Sequence, residues 1–566
     1  MRTILTTFFA WALLGCSEAP APEAAQEESP AVVPADLLVL GADVRTVDLA
    51  QPRATAFAVR AGRLVALGDD EALKAYQGPA TEVIDAKGAT VLPGFVDGHT
   101  HLASGSVLVA GVDLFGIPDK DTWLARIASK VDTLAPGEWV LGGRWDYTIA
   151  EHEYPTRAEL DAVAPDNPVA LTDIDYHSMW VNTRALEAAG IDENSVAPMG
   201  GEIVRDPETG EATGILKETA MGLMQRAESL VATQQAAATD LAATVRYVNS
   251  LGVTSVHDMA GPEVLEGYRA LADEGGLSLR VWFGMTGVTE PGRADALAEA
   301  RADYSRALPG FGPVLEHGYL KHIIDGVLST HTALMLEPYS DQPDADPEPF
   351  SPYEQLVQYV AAGNAAGFPV ATHAIGDRAV RWTLEAFEEA GDPAYRNRIE
   401  HIEVVAPSDV ERFRTLNVAA SMQPNHGTGV IGKYITARVG LERERQAYVW
   451  GDFLRNDVHL ALSSDWPTAP MSPLAQLADA VLRESPYGLY DGPWYPEQAL
   501  SFEQALHAYT QANADLSAWG DEIGSLSVGK WADFVVLDGT LPDEPDRELL
   551  ERRVAETWMA GQRVFP

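Results

Sequence analysis

Cysteine is nearly absent from this chain of 566 residues, with Cys16 the one example. A lone thiol excludes internal disulfides and thiolate metal sites, so any metal must be held by nitrogen and oxygen. Basic residues are also scarce: 40 lysines and arginines face 83 aspartates and glutamates, a net charge of −43. A surface of that sign repels nucleic-acid phosphates and anionic headgroups, so no nucleic-acid partner is expected. No fixed-period repeat runs along the chain. The apolar N-terminal run, Ile4 to Leu14, falls far short of the roughly 20 residues that span a membrane. What is present is a globular balance, 46% hydrophobic and 22% charged, with length for a large catalytic domain and a smaller companion.

The N-terminus reads as a targeting segment. Arg2 precedes the short apolar run, and Leu13-Leu14-Gly15-Cys16-Ser17 resembles a bacterial lipoprotein signal, cleaved before a cysteine that is then lipidated. Residues 1–16 are therefore expected to be a signal peptide, and 17–35, rich in Ala, Pro and Glu, a flexible tether. The mature protein is expected at the cell envelope, lipid-anchored on the periplasmic side or on the outer membrane, with Ser17 favouring the latter.

Two β-rich stretches flank everything else, residues 36–92 and 516–566. Runs such as Ala56-Phe57-Ala58-Val59 and Asp533-Phe534-Val535-Val536-Leu537 suggest strands from opposite chain ends sharing one small β-sandwich. Between them, residues 93–515 alternate short apolar strands with helical patterns, which argues for βαβ units. Eight strands are expected, centred on Val91–Val96, Thr254–His257, Leu279–Phe283, Tyr319–Ile324, Pro369–Thr372, Ile399–Ile402, Val418–Met422 and Leu460–Ser463. Eight such units make an α/β TIM barrel. The first gap is too long for one helix, so about 112–235 is expected to be an insertion capping the mouth. That insertion and the loop around Ser340 to Pro352 are expected to shape the pocket.

Candidate ligands stand at the strand ends. The first strand closes on Asp97-Gly98-His99-Thr100-His101, and residues two apart on a strand face one side. His373 ends Val370-Ala371-Thr372-His373, His401 ends Arg398-Ile399-Glu400-His401, and Asp465 follows Ala461-Leu462-Ser463-Ser464. One βα unit separates His373 from His401 and two separate His401 from Asp465. All of them fall at the C-terminal rim where barrel active sites lie. Imidazoles with one carboxylate suit Zn²⁺. Lys321, ending Tyr319-Leu320-Lys321, is either a lysine carboxylated by CO₂ that bridges two metals or an ordinary lysine paired with Asp325.

These motifs, with Ser-Ser-Asp-Trp-Pro after the last strand and Gly529-Lys530-Trp531-Ala532-Asp533 near the end, resemble the amidohydrolase superfamily. The similarity is to amidohydrolase family 3, the branch of N-substituted formamide deformylases and D-aminoacylase relatives, over about residues 36–566. It implies a metal-bearing barrel, a β-sandwich from both chain ends, one or two divalent ions, and Lys321 as the bridging carboxylated lysine, since Lys321 through Asp325-Gly326 matches the branch's Lys-x-x-x-Asp-Gly pattern. Val327 to His331 depart from its usual small-residue run. Asp175-Tyr176-His177 resembles the family's Asp-x-His before a Trp-Val-Asn run, which gives His177 a reach to the substrate carbonyl.

The expected reaction is hydrolysis of an amide-type C–N bond of a small molecule by metal-activated water. Asp465 takes the water's proton and delivers it to the leaving nitrogen. Asp97 is expected either to orient a histidine of the first strand or to stabilise its turn. Trp145, Asp146 and His426 are further pocket candidates. Ester, cyclic-amide or deaminating chemistry on the same site, and a non-catalytic envelope binding protein, remain alternatives.

Overall fold

The computed structural model describes residues 32–146, 154–174, 176–286 and 293–566. The signal peptide, Cys16, most of the tether and Asp175 lie outside the described residues. Eight parallel strands pair in chain order: β1 Phe95–Thr100, β2 Val253–Ala260, β3 Arg280–Thr286, β4 Gly312–Ile323, β5 Val370–Ala374, β6 Arg398–His401, β7 Ala419–Met422 and β8 Leu460–Leu462. Their near-continuous apolar runs, such as Leu460-Ala461-Leu462 and Ala419-Ala420-Ser421-Met422, are those of strands buried on both faces. The ring is drawn shut just past β8. Thr100 bridges Trp466 in parallel, the Asp465 N–H donates to the His99 carbonyl at 2.9 Å, and the His101 N–H donates to the Trp466 carbonyl at 2.8 Å. This is a TIM barrel, as the strand pattern predicts.

The first predicted strand, Val91–Val96, is in fact two. Thr90–Pro93 pairs with Asp43–Arg45 and Phe534–Leu537 in a separate sheet, and the barrel strand begins at Phe95. The break falls at Gly94, where an added Cβ would sit 2.2 Å from Thr254 Oγ1, so only glycine lets the chain step from one sheet to the other so close to β2. The sheet holding Thr90–Pro93 has six strands drawn from both chain ends, and it faces a four-stranded sheet of Leu37–Leu40, Ala56–Arg60, Arg63–Gly68 and Glu82–Asp85. Leu37, Val39, Phe57, Phe534 and Trp558 fill the space between, with Phe534 stacked on Trp558. Asp533 of the late sequence motif ties sandwich to barrel, since its carboxylate grips buried Arg280 of β3 at 2.7 and 2.9 Å.

After β1, the helix Leu102–Ala110 leads into an insertion with its own six-stranded sheet, running from Val112–Asp113 to Ala212–Glu218. Apolar clusters cover both faces, one around Trp139, Met179 and Leu216, the other around Trp123, Trp145 and Trp180. Among the described residues no helix is long and apolar enough to cross a membrane.

Candidate metal centre

The barrel's C-terminal rim brings the predicted side chains together. His99 lies in β1 and His101 just beyond it, Lys321 near the end of β4, His373 on β5, His401 at the end of β6, and Asp465 after β8. His99 Nε2 is 3.3 Å from both Asp465 Oδ1 and Lys321 Nζ, and His101 Nε2 is 3.3 Å from the same carboxylate oxygen. The His401 ring centre stands 4.8 Å from that of His99 and 4.6 Å from that of His373. His99, His401 and Asp465 each offer a ligand atom within 4.8 Å of the others, and all three are buried. His401 and Asp465 hold left-handed backbone, φ 76° and 58°. That strain costs on the order of 1 kcal/mol or more per residue and is tolerated where the surroundings fix a functional geometry.

The outer contacts decide which nitrogen faces the centre. His99 Nδ1 meets Glu400 Oε2 at 2.7 Å, His401 Nδ1 meets Gln423 Oε1 at 2.8 Å, and His373 Nε2 meets the Gly326 carbonyl at 3.1 Å. Each acceptor takes one ring N–H and leaves the other nitrogen's lone pair free. Burial pushes His99 down to about 4 and His373 to about 3, so both rings are neutral, the form that binds metal. Burial also lowers the Lys321 ammonium to about 8. Asp465 Oδ1 is buried near two imidazoles yet makes no hydrogen bond, as suits an oxygen kept for a cation. The donor set therefore fits a divalent ion.

Glu400 and Gln423 were not singled out by sequence. Burial opposes ionisation of Glu400, but Arg398, with Nε 2.7 Å from Oε1, overrides it and holds the carboxylate well below its usual range. The signal in the sequence is a charged pair, Arg398 and Glu400, on alternate positions of a strand buried throughout. Asp97 does not orient a ring. Its Oδ1 accepts the backbone N–H groups of His99 and Ser464, and its Oδ2 accepts the Tyr509 hydroxyl at 2.7 Å, so it pins β1 to the segment after β8.

Above the centre opens a cavity of about 360 Å³ that includes His177, Glu403, His426, Lys433 and all six predicted ligands in its walls. His426 is buried and stacked on His401, with Nε2 3.6 Å from Asp465 Oδ2 and Nδ1 3.8 Å from Glu403 Oε1. His177 sits at the rim, half-exposed, with Nδ1 3.0 Å from the Glu218 carboxylate. Trp145 is not in the pocket. It is packed among Trp123, Trp180 and Tyr154 in the insertion, and its indole N–H donates to the Leu171 carbonyl. Asp146 is buried and does not line the cavity, and its carboxylate is 3.5 Å from the Nζ of Lys433, which does. Asp325 does not pair with Lys321. It accepts the N–H groups of Leu334, Ile375 and Gly376, shaping the turns after β4 and β5, and burial raises it to about 7. No lining residue of this cavity comes from the 340–352 loop. That loop is held instead by the Phe350 and Ser340 N–H groups, which donate to the backbone carbonyls of Ile324 and Arg438.

A family model matches residues 82–565, and it is that of the amidohydrolase family. The chain belongs to the amidohydrolase family. This amidohydrolase is 32% identical to the protein LONG AFTER FAR-RED 3 of Arabidopsis thaliana over 95% of its own length and 93% of the relative's. It is 29% identical to the N-substituted formamide deformylase of Arthrobacter pascens, covering 93% of this chain and 97% of that enzyme. Among solved structures it is similar to an uncharacterised metal-dependent hydrolase from Pyrococcus horikoshii OT3, with a TM-score of 0.68, 27% identity, and 89% and 97% of the two chains covered. The amidohydrolase is thus an enzyme of the metal-dependent hydrolase class, and its buried His99, His401 and Asp465 form a cluster able to bind a metal.

Proposed function

We propose that the enzyme hydrolyses a non-peptide, amide-type C–N bond of a small molecule. The observation that carries this reading is the buried convergence of His99, His401 and Asp465, with Lys321 Nζ 3.3 Å from His99. The resemblance to a formamide deformylase along the whole chain supports the choice of bond. His99, His101, Lys321, His373, His401 and Asp465 would hold one or two ions, and their nitrogen and oxygen donors favour Zn²⁺. Lys321 takes part as a carbamate: its free amine, made accessible by burial, adds to CO₂ and releases a proton, giving an anionic oxygen donor. The ion supplies Lewis acidity towards the carbonyl and brings the pKa of water into the neutral range.

Asp465, oriented by the hydrogen bond from its N–H to the His99 carbonyl, accepts the water's proton and returns it to the leaving nitrogen. His177, at the rim, donates to the substrate carbonyl. Glu400 and Gln423 hold the His99 and His401 rings so that Nε2 faces inwards. Dialysis against a chelator is expected to abolish hydrolysis of a simple amide, and readdition of Zn²⁺ to restore it together with about one or two equivalents of bound metal. Full activity in protein that elemental analysis shows to be metal-free would overturn the reading.

At the N-terminus, the Leu-Leu-Gly-Cys-Ser sequence supports a lipid anchor on Cys16 that places the enzyme at the envelope. Cys16→Ser is expected to move the protein out of the membrane fraction and to abolish labelling by a fatty acid. Unchanged fractionation and labelling would exclude the anchor.

A further inference from the structure

The walls of the cavity above the metal centre differ sharply from its floor. Ile174 of the insertion, Ile323, Val327 and Leu328 at and after β4, Ile375 after β5 and Ile431 after β7 all line it. Four separate segments thus direct aliphatic groups at one volume. Ile323 is 41% exposed, although it stands two residues from buried Lys321. An aliphatic side chain left uncovered beside a reactive centre is a surface waiting for an apolar ligand group.

Charge points the same way. Among the described lining residues there is no arginine, and the lysines are Lys321, at the metal centre, and Lys433. Lys433 is already compensated, since its Nζ lies 3.5 Å from buried Asp146. His177, beside Tyr176 at the insertion's edge, faces the carboxylate of Glu218. Away from the metal centre, a carboxylate-bearing substrate would find no uncommitted cationic side chain among the described lining residues, on a protein of net charge −43. Burying such an anion without a counter-charge is costly, whereas burying a phenyl or alkyl group against the isoleucines is favourable.

We infer that the substrate is an amide with no anionic group whose non-reacting portion is an aryl or branched alkyl group seated against Ile323, Leu328, Ile375 and Ile431. N-acyl amino acids are then poor substrates. This inference rests on the C–N hydrolase reading of the site, and the test separates the two.

N-acetylbenzylamine and both enantiomers of N-acetylphenylglycine differ by one carboxylate, and N-acetylmethylamine lacks the ring. With the metal-loaded enzyme, kcat/KM is expected to be at least about 100-fold higher for the benzylamine amide than for either phenylglycine amide. It is expected to be at least about 10-fold higher than for the methylamine amide. Ile431→Arg, with unchanged metal content, is expected to narrow the neutral-to-anionic ratio by at least about 10-fold. Equal or better turnover of a phenylglycine amide, or no gain from the ring, overturns the inference. Hydrolysis of none of these compounds counts against C–N hydrolysis itself. Calorimetric binding of the same compounds then decides the specificity: tighter binding of the benzylamine amide supports it, and equal, weaker or absent binding overturns it.

Discussion

Asp465→Asn is expected to lower kcat on a neutral amide by about 10³-fold, the size of contribution that a positioned general acid–base makes. The substitution is unusually clean here. Asp465 has φ 58°, a conformation asparagine tolerates nearly as well as aspartate, so the turn after β8 should survive. The N–H donated to the His99 carbonyl is a backbone contact and is retained. The carboxamide keeps an oxygen near His99 and His101 but cannot accept a proton from water. Metal content by elemental analysis should stay close to wild type, because four imidazoles remain, while single-turnover rates collapse. A variant with wild-type kcat would remove Asp465 from the proton-transfer role, whatever its place in the metal shell.

Glu400→Gln tests the support beneath the metal. Glu400 joins two buried partners, His99 Nδ1 at 2.7 Å and Arg398 Nε at 2.7 Å, while Arg398 also reaches His257 Nδ1 at 2.8 Å and lies over the Tyr319 ring. Glutamine preserves shape and loses the charge, so Arg398 is left uncompensated in a buried site. Removing one partner of such a pair costs about 3–5 kcal/mol, which chemical denaturation of the metal-free protein would register. The ring of His99 also loses its anionic acceptor, and metal affinity is expected to fall by about 10- to 100-fold in chelator competition. Stability lost with metal affinity intact would assign Glu400 to Arg398 alone.

The candidate ligands were legible because each stands at or just past the end of a barrel strand, a pattern carried by a handful of neighbouring residues. Val370-Ala371-Thr372-His373 announces both a strand and its exit. Their supports were not legible. Glu400 matters through His99, 301 positions away, and Gln423 through His401 across the gap between β6 and β7, contacts that exist only once the ring is assembled. Asp97 had two readings, a contact to a histidine ring of the first strand or a turn-stabilising acid, and its carboxylate takes the backbone N–H groups of His99 and Ser464 and the Tyr509 hydroxyl, in keeping with the second. In the insertion, Trp145 was a pocket candidate by sequence, but it is buried within the insertion itself. Its cover came from Trp123 and Trp180, on other elements of the same sheet domain. The boundary at Gly94 falls at a Pro-Gly pair within one apolar stretch, and the neighbour that forbids a side chain there is Thr254.

The backbone contacts that join the end of β8 to β1 involve His99, His101, Asp465 and Trp466. The seam of the cylinder and the cradle for the cation are therefore the same few amino acids, supplied by stretches more than 360 positions apart. An ion held by both sides would act as a rivet across that seam. Loading and circular closure must reinforce each other, so protection of the β1 and β8 amides from hydrogen exchange should rise with metal occupancy, more than at strands on the far side of the ring.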